Sequence, residues 1–265
     1  MTSVPVLRRS IRESWRGLIG WSLGITALLF LYLPLFKSFG TGGQLQAVID
    51  ALPKELTKTI GYDQIATGAG YAQSTFYGLT GFVLFTIAAV IWSSAAIGGA
   101  EESGRLELDL AHPIARVQYA LEQAAAIVVK VLWLGLLAGL IVWGMNEPVG
   151  LGIDPPHIIG ASAALAGLGF LTASIGLLVG ALTGRRSWAS GAAAGIAVLG
   201  YVFQAVAKQS SDLEWLNIFS PYAWVYHQSP LSDGVDLGGL ALVWGFGIVF
   251  AAASAFALQR RDVTG

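Results

Sequence analysis

The side chains that could act as catalysts or metal ligands are few in this sequence and far apart. There is no cysteine, which excludes disulfides and thiolate chemistry. The three histidines, His112, His157 and His227, lack the paired spacing of a metal site, so hydrogen bonding at a membrane interface is the better interpretation. No Ser/His/Asp arrangement can be assembled from the sequence. We therefore expect no catalytic residue, no metal and no cofactor in this chain.

One string, Gly180-Ala-Leu-Thr-Gly-Arg-Arg-Ser, has the glycine-rich character of a phosphate-binding loop. Such a loop needs Gly-x-x-x-x-Gly-Lys followed by Ser or Thr, after a strand. This string is one residue too short, carries arginine where the lysine belongs and ends a long apolar run. We therefore expect that this chain does not hydrolyse ATP by itself.

Lys130 is a charged residue inside an otherwise apolar run, Ala124 to Trp143. A lysine near the end of a membrane span can extend its ammonium to the interface, which is the favoured interpretation. The alternative is that Lys130 faces an inward cavity and belongs to a substrate path. Glu122 precedes it by eight residues and is expected to be too distant for a direct pair. Intramembrane acid pairs, typical of proton-coupled carriers, are absent.

A polar stretch, Glu101 to Arg116, follows 37 residues without Asp, Glu, Lys or Arg and precedes another long apolar run. It combines leucines with acids and has a glycine break at Gly104. A solvated loop rarely carries so many large apolar residues unless something covers them. A short helix with an apolar ridge flanked by charges would suit a groove on a soluble partner. The expected ridge is Leu106, Leu108, Pro113 and Ile114, and the expected polar edge is Glu101, Glu102 and Arg116. Glu107 is a further candidate for contact with the partner.

These residues must be positioned by membrane helices. The chain is 55% hydrophobic and 12% charged, whereas soluble domains hold about 25% charged residues. A bilayer core requires about 20 apolar residues in a helix, and continuous rather than alternating apolar runs exclude a β-barrel. We predict an all-α integral membrane protein, with residues 1–265 as a single transmembrane domain. The predicted spans are 18–36, 76–96, 124–143, 158–182, 188–206 and 237–258, with a polar segment at 100–118.

The basic residues predict the orientation of the spans. With six spans, all ten arginines fall on the side of the two termini, while the other side holds four lysines. The positive-inside rule then places both termini in the cytoplasm of a cell that we expect to be bacterial, with the chain crossing its plasma membrane several times. The net charge of −1 gives no case for nucleic-acid binding.

Three further segments flank the spans. Val4 to Arg16 is predicted to be an amphipathic helix lying on the membrane surface. The outer segment 37–75 contains an amphipathic pattern from Leu45 to Leu52, which could lie on the outer leaflet or cap a cavity. The outer segment 207–236 is aromatic and interrupted by prolines, so it predicts a re-entrant or interfacial hairpin before the last span. Its Phe219, Tyr222 and Trp224 are candidates for a substrate path or for membrane anchoring.

Two other patterns concern packing and anchoring. Gly176, Gly180 and Gly184 recur every four residues, as do Gly191 and Gly195. Such rows let helices approach closely, either within one subunit or at a dimer seam. The tryptophans near predicted span ends are interpreted as interfacial anchors. These are Trp15, Trp21, Trp92, Trp143 and Trp188.

The stretch from Glu101 to Arg116 resembles a motif of type-2 permeases of ABC exporters. After their second span these permeases carry Glu-Glu, then Gly-Thr-Leu-Glu-Leu, and then a proline and an arginine, in that order. Arg105 and Asp109 depart from the usual threonine and leucine. Phe219-Ser-Pro-Tyr before the last span and Gln259-Arg-Arg-Asp at the end resemble two further segments of that family. The resemblance covers essentially the whole chain.

The resemblance implies a division of labour. Two permease chains, identical or different, would join two separate ATPase chains that hold ATP and Mg²⁺, within a lipid membrane. The region from Glu101 to Arg116, including Gly104, would couple ATP-driven closure of the ATPases to outward movement of a substrate. The cargo would be an amphipathic drug, antibiotic or lipid-like molecule. Two alternatives remain at this point, an ATP-independent secondary carrier and a non-transporting assembly or immunity component.

Overall fold

The protein is a bundle of helices. The computed structural model describes residues 4–39, 65, 67–111 and 114–261, and no strand occurs among them. Six helices are long and apolar enough to cross a membrane, and each contains one of the predicted runs, which confirms the all-α class with six candidate spans. They are α1 (Pro5–Phe39), α2 (Gly68–Ala96, π-helical over Gln73–Thr80), α5 (Arg116–Val149), α6 (Pro155–Thr183), α7 (Arg186–Ala207) and α10 (Leu237–Arg260).

Short helices lie in two of the connections that the structure describes. Two of them, α3 (Gly98–Glu102) and α4 (Arg105–Leu110), lie between α2 and α5. A 3₁₀ helix (Ser211–Phe219), α8 (Pro221–Tyr226) and α9 (Pro230–Asp233) lie between α7 and α10. The predicted outer hairpin is thus a series of three short helices, and a re-entrant or interfacial placement stays a prediction. The amphipathic pattern from Leu45 to Leu52 lies outside the described residues.

Helix α6 is the centre of the bundle and packs against α2, α5, α7 and α10. Most of its apolar stretch is buried, 78% of the residues against 17% in α1. Small residues permit this close packing. A methyl group at Gly176 would overlap Ser93 Oγ, and one at Gly180 would lie 3.2 Å from the backbone nitrogen of Gly98. These two glycines of the α6 row therefore serve packing within the chain.

The glycine row of α7 has a different environment. A methyl group at Gly191 or Gly195 would meet no atom within 4 Å. Nearby side chains on the same helix, Val198 and Val202, are exposed. This row does not pack inside the described part of the chain, so a dimer seam stays a prediction for α7 only.

The N-terminal residues continue the first span. Helix α1 runs from Pro5 to Phe39, so Val4 to Arg16 does not form a separate helix, and the predicted interfacial helix is not confirmed. Pro34 lies inside α1 and does not end it. The contact that holds this N-terminus against α5 is described below.

One end of the bundle gathers the arginine-rich segments, and we call it the arginine end. It comprises the start of α1, helices α3 and α4, the junction of α6 with α7, and the end of α10. Arg9 Nη1 lies 2.5 Å from Asp109 Oδ1, which joins α1 to α4. The backbone N–H of Arg186 donates to Glu102 Oε1 over 3.0 Å, which joins α7 to α3. Arginines that the sequence groups on one side thus take part in contacts between helices.

Candidate functional site

A cavity of about 570 Å³ lies at the arginine end, between α1, α2, α4 and α5. Sites for small molecules usually have volumes of about 300–1,000 Å³. Its apolar wall includes Val6, Ile91, Trp92, Ala96 and Ile127. Its polar wall includes Arg9, Ser10, Glu13, Arg105, Asp109, Gln123 and Lys130. The cavity therefore combines an apolar surface with a cluster of charges.

Lys130 projects into this cavity. The residue is only 4% exposed, and its Nζ lies 3.4 Å from Ser10 Oγ and 5.3 Å from the centroid of the Trp92 ring. A cation over the face of an indole is attracted by the ring quadrupole. Lys130 thus faces a cavity, as in the alternative expectation, and its role in a substrate path stays a prediction. The reason is that α1 packs over this part of α5, so that Lys130 faces the cavity between the two helices.

Trp92 is likewise inside the bundle. Its residue exposure is 8%, so its predicted role as an interfacial anchor is wrong. By contrast, Trp15, Trp143 and Trp188 are exposed. Periodicity could not separate these cases, because each tryptophan lies near the end of a long apolar run.

An ion-pair network borders the cavity. Arg9 lies between two carboxylates, with Nε 2.7 Å from Glu13 Oε1 and Nη1 2.5 Å from Asp109 Oδ1. Glu13 is one turn away on the same helix, whereas Asp109 is on α4. The Arg9–Asp109 contact therefore ties the start of α1 to the segment that the sequence predicts to meet a partner.

Glu122 explains why the start of α1 packs against α5. The residue is buried, and its Oε2 accepts hydrogen bonds from the backbone N–H groups of Val6 at 2.7 Å and Leu7 at 2.9 Å. Gln118 Nε2 donates to the other oxygen, Oε1, at 2.7 Å. The first N–H groups of a helix have no partner within the helix. A carboxylate accepts hydrogen bonds from them, and its negative charge is attracted to the positive end of the helix dipole. Sequence reasoning missed this role, because the partners are 116 residues apart.

The segment from Glu101 to Arg116 consists of two short helices with a sharp turn between them. Gly104 forms the turn with φ of 71°, a conformation that costs other residues a clash between Cβ and the backbone. On α4, Leu106 is fully buried while Leu108 is 68% exposed. The predicted ridge is therefore corrected, because Leu106 belongs to the core while Leu108 projects outward. The two leucines differ because a single helical turn directs residues two apart to opposite sides.

The predicted polar edge forms bonds inside the chain. Arg261 Nη2 pairs with Glu101 Oε2, and the Glu101 side chain is only 8% exposed. Glu102 accepts from the backbone of Arg186, and Arg116 Nη1 donates to the backbone oxygen of Arg261 at 2.5 Å. These residues thus join α3 to α7 and join the start of α5 to the end of α10. Glu101 and Arg116 are partly buried, whereas Glu102 remains exposed.

The remaining predicted residues of this segment differ in position. Glu107 is exposed beside Leu108. Ile114 is partly buried, packs against the core and contributes to the cavity wall. Pro113 lies outside the described residues. A role in ATPase coupling stays a prediction for all of them.

The outer candidates for a substrate path lie at the opposite end of the bundle, so the structure does not bring them together with Lys130. Tyr222 is buried on α8 and its hydroxyl donates to the backbone oxygen of Gly78. Trp224 Nε1 donates to the backbone oxygen of Ile218 at 2.9 Å. Phe219 is 60% exposed. The buried member of this set is held in a packed layer, and only Phe219 presents most of its surface.

An aromatic cluster explains the burial of Tyr222. Its ring centroid lies 4.9 Å from that of Phe82, 5.2 Å from that of Tyr201 and 4.8 Å from that of Tyr226. Such contacts stabilise a packed core beyond the area they bury. Burial also raises the pKa of Tyr222 and Tyr226 well above its usual value, so both stay protonated.

The comparison with known proteins agrees with this architecture. A family model described as ABC-2 family transporter protein matches residues 4–263, which is nearly the whole chain. The search of curated proteins found no match. Families of this kind supply membrane subunits of transporters and associate in general with an ABC ATPase subunit. The chain belongs to the ABC-2 family of transporter proteins.

Proposed function

We propose that this chain is the permease subunit of an ABC exporter. Two such chains would span the plasma membrane of a bacterial cell, with both termini and the arginine end in the cytoplasm. ATP and Mg²⁺ would be held by a separate ATPase. The cargo would be an amphipathic molecule, drug-like, antibiotic-like or lipid-like. Family membership and the six apolar helices support the transporter subunit, and the position of the arginine-rich segments supports the orientation.

The observation that carries the proposal is the exposed face of α4. Leu108 is 68% exposed at the arginine end, with the charged Arg105 and Glu107 exposed beside it. The opposite side of the same helix is anchored by the buried Leu106. An apolar side chain that is flanked by charges, on a helix whose other side packs in the core, suits a groove on a soluble ATPase.

The contacts of the same segment supply a route from an ATPase to the spans. Glu101 is bonded to the end of α10, Glu102 to the start of α7 and Asp109 to the start of α1. A displacement of α3 and α4 would therefore pull on three candidate spans at once. ATP can drive transport only if it binds one conformation of the complex more tightly than the other. The segment would transmit that difference in affinity as movement of helices.

The test uses co-purification. The chain is purified from its native cells, and a bound ATPase is identified by its phosphate-binding loop. We expect Leu108→Asp to release this ATPase, because a carboxylate would be desolvated in an apolar groove. Leu237→Asp is the matched control, since Leu237 is 74% exposed at the start of α10. It should retain the ATPase.

Two outcomes would contradict the proposal. One is that no ATPase accompanies the unaltered chain, as expected for a secondary carrier or an assembly component. The other is that Leu108→Asp retains the ATPase as fully as Leu237→Asp does. Thermal unfolding checks that both variants stay folded, which we expect because each change affects an exposed side chain.

A further inference from the structure

The ammonium of Lys130 is buried without a carboxylate partner. Within the described ranges, the salt bridges join Arg9 to Glu13 and Asp109, and Arg261 to Glu101, and none includes Lys130. An ammonium has three N–H donors, and its hydrogen-bond partner here is Ser10 Oγ at 3.4 Å. Burying a charge is costly unless it is paired. The cavity therefore holds a cation whose electrostatic environment an incoming anion would improve.

The net charge of the cavity wall also favours an anionic ligand. Arg9, Arg105 and Lys130 are the cations of the wall, and Glu13 and Asp109 are its anions, which leaves one excess positive charge. Both carboxylates lie against Arg9. Neither carboxylate forms a salt bridge with Lys130.

The rest of the wall requires an apolar part in the ligand. Ile91, Trp92 and Ile127 line the cavity beside Lys130. Ile91 is 44% exposed, so the cavity is open along the apolar surface of α2, while Arg9 marks its polar side. A small inorganic anion would leave this apolar wall uncovered. An alkyl chain attached to an acidic head group would cover it and bring the negative charge to Lys130.

We propose that this cavity binds an anionic amphiphile, with its acidic head group at Lys130 and Ser10 and its alkyl chain along Ile91, Trp92 and Ile127. The ligand could be an anionic membrane lipid or a soluble single-chain amphiphile, since both present the same chemistry. The proposal deepens the proposed function by giving the class of cargo. Binding of the amphiphile does not depend on that function, but its role as cargo rests on it.

The binding experiment uses the full chain in phosphatidylcholine nanodiscs, without an ATPase. One arm titrates n-dodecyl phosphate against n-dodecylphosphocholine, which has the same tail but no net charge. The other arm counts phosphatidylglycerol retained from nanodiscs of equal phosphatidylglycerol and phosphatidylcholine content. Native mass spectrometry reports the bound molecules in both arms.

Three variants test the role of the lysine. Lys130→Met keeps the length of the side chain without its charge, and Lys130→Arg keeps the charge. Lys37→Met removes a lysine at the other end of α1 and is the matched control. We expect Lys130→Met to weaken the binding of dodecyl phosphate, or the retention of phosphatidylglycerol, about ten- to hundred-fold. Lys130→Arg and Lys37→Met should keep the preference for the anion.

Binding of dodecylphosphocholine shows whether the apolar wall stays intact, and Lys130→Met should change it less than about two-fold. The proposal is overturned if the unaltered chain prefers neither anion over its zwitterionic counterpart. It is also overturned if Lys130→Met keeps the preference. Because no ATPase is present, a failure here is distinct from a failure of co-purification.

Discussion

Glu122 holds the start of α1 against α5. Its replacement by glutamine exchanges one carboxylate oxygen for an NH₂ group and leaves the volume of the side chain nearly unchanged. Both carboxylate oxygens accept hydrogen bonds, Oε2 from Val6 and Leu7 and Oε1 from Gln118. An amide has only one acceptor oxygen. In either orientation of the new amide, its N–H₂ group would therefore face another donor. We expect Glu122→Gln to loosen the first turns of α1.

The magnitude follows from the lost bonds. A hydrogen bond to a charged group contributes about 1.5–3 kcal/mol, and a charge at a helix N-terminus adds about 0.3–1 kcal/mol. One oxygen keeps its bonds in the variant, so the loss should be about 2 kcal/mol rather than the full sum. At 25 °C a loss of about 2 kcal/mol raises the population of the opened N-terminus about 30-fold.

Limited trypsin digestion measures that population, because the first turns of α1 carry Arg8, Arg9 and Arg12. The rate of N-terminal cleavage follows the opened population when opening is fast relative to cleavage. We expect Glu122→Gln to be cleaved about 30-fold faster than the unaltered chain. Glu147→Gln is the control, since Glu147 is exposed near the other end of α5.

A second variant sharpens the test. Exchanging the two side chains as Gln118→Glu with Glu122→Gln lets the amide oxygen accept from α1 while its N–H₂ donates to the new carboxylate. The double variant should therefore recover part of the resistance to trypsin. Cleavage of Glu122→Gln within about two-fold of the unaltered chain would refute the reasoning, because the bonds of Glu122 would then not hold α1.

Two further predictions concern the packing of the bundle. Glu101→Gln should lower the stability of the detergent-solubilised chain by about 3 kcal/mol, because it leaves Arg261 partly buried without its carboxylate; thermal unfolding measures this, and an unchanged transition would contradict a structural role of the pair. Gly176→Ala should lower the unfolding temperature, since its methyl group would overlap Ser93 Oγ, whereas Gly191→Ala, with no atom within 4 Å, should not lower it. Equal behaviour of the two glycine variants would show that α6 does not pack as described.

Much of the fold could be predicted from the sequence because a bilayer imposes a length on each apolar run. Six runs without acidic residues were sufficient to place the six helices, although their true ends extend further, as at Pro5 for α1 and Val149 for α5. The runs underestimate the helices because charged and polar turns beyond the hydrocarbon region remain helical. Hydropathy alone has no signal for those turns.

The candidate site depended on information that apolar runs do not contain. The sequence placed Lys130 in a span and Glu101 to Arg116 between two spans, but it could not say which side chains face inward. Facing is decided by neighbours that are distant in the chain. Glu122 meets Val6 across 116 residues, and Glu101 meets Arg261 across 160 residues.

The sequence by itself thus determined the number of apolar spans, the grouping of arginines at one end and the family to which the polar segment points. These features follow from composition along the chain, because the cost of placing charge in lipid keeps most charged residues out of the runs that cross it. Only the tertiary structure decided that Lys130 lines a cavity, that Leu106 is buried while Leu108 is exposed, and that Glu122 caps α1. These features depend on helix rotation and packing, since burial is a property of two surfaces in contact.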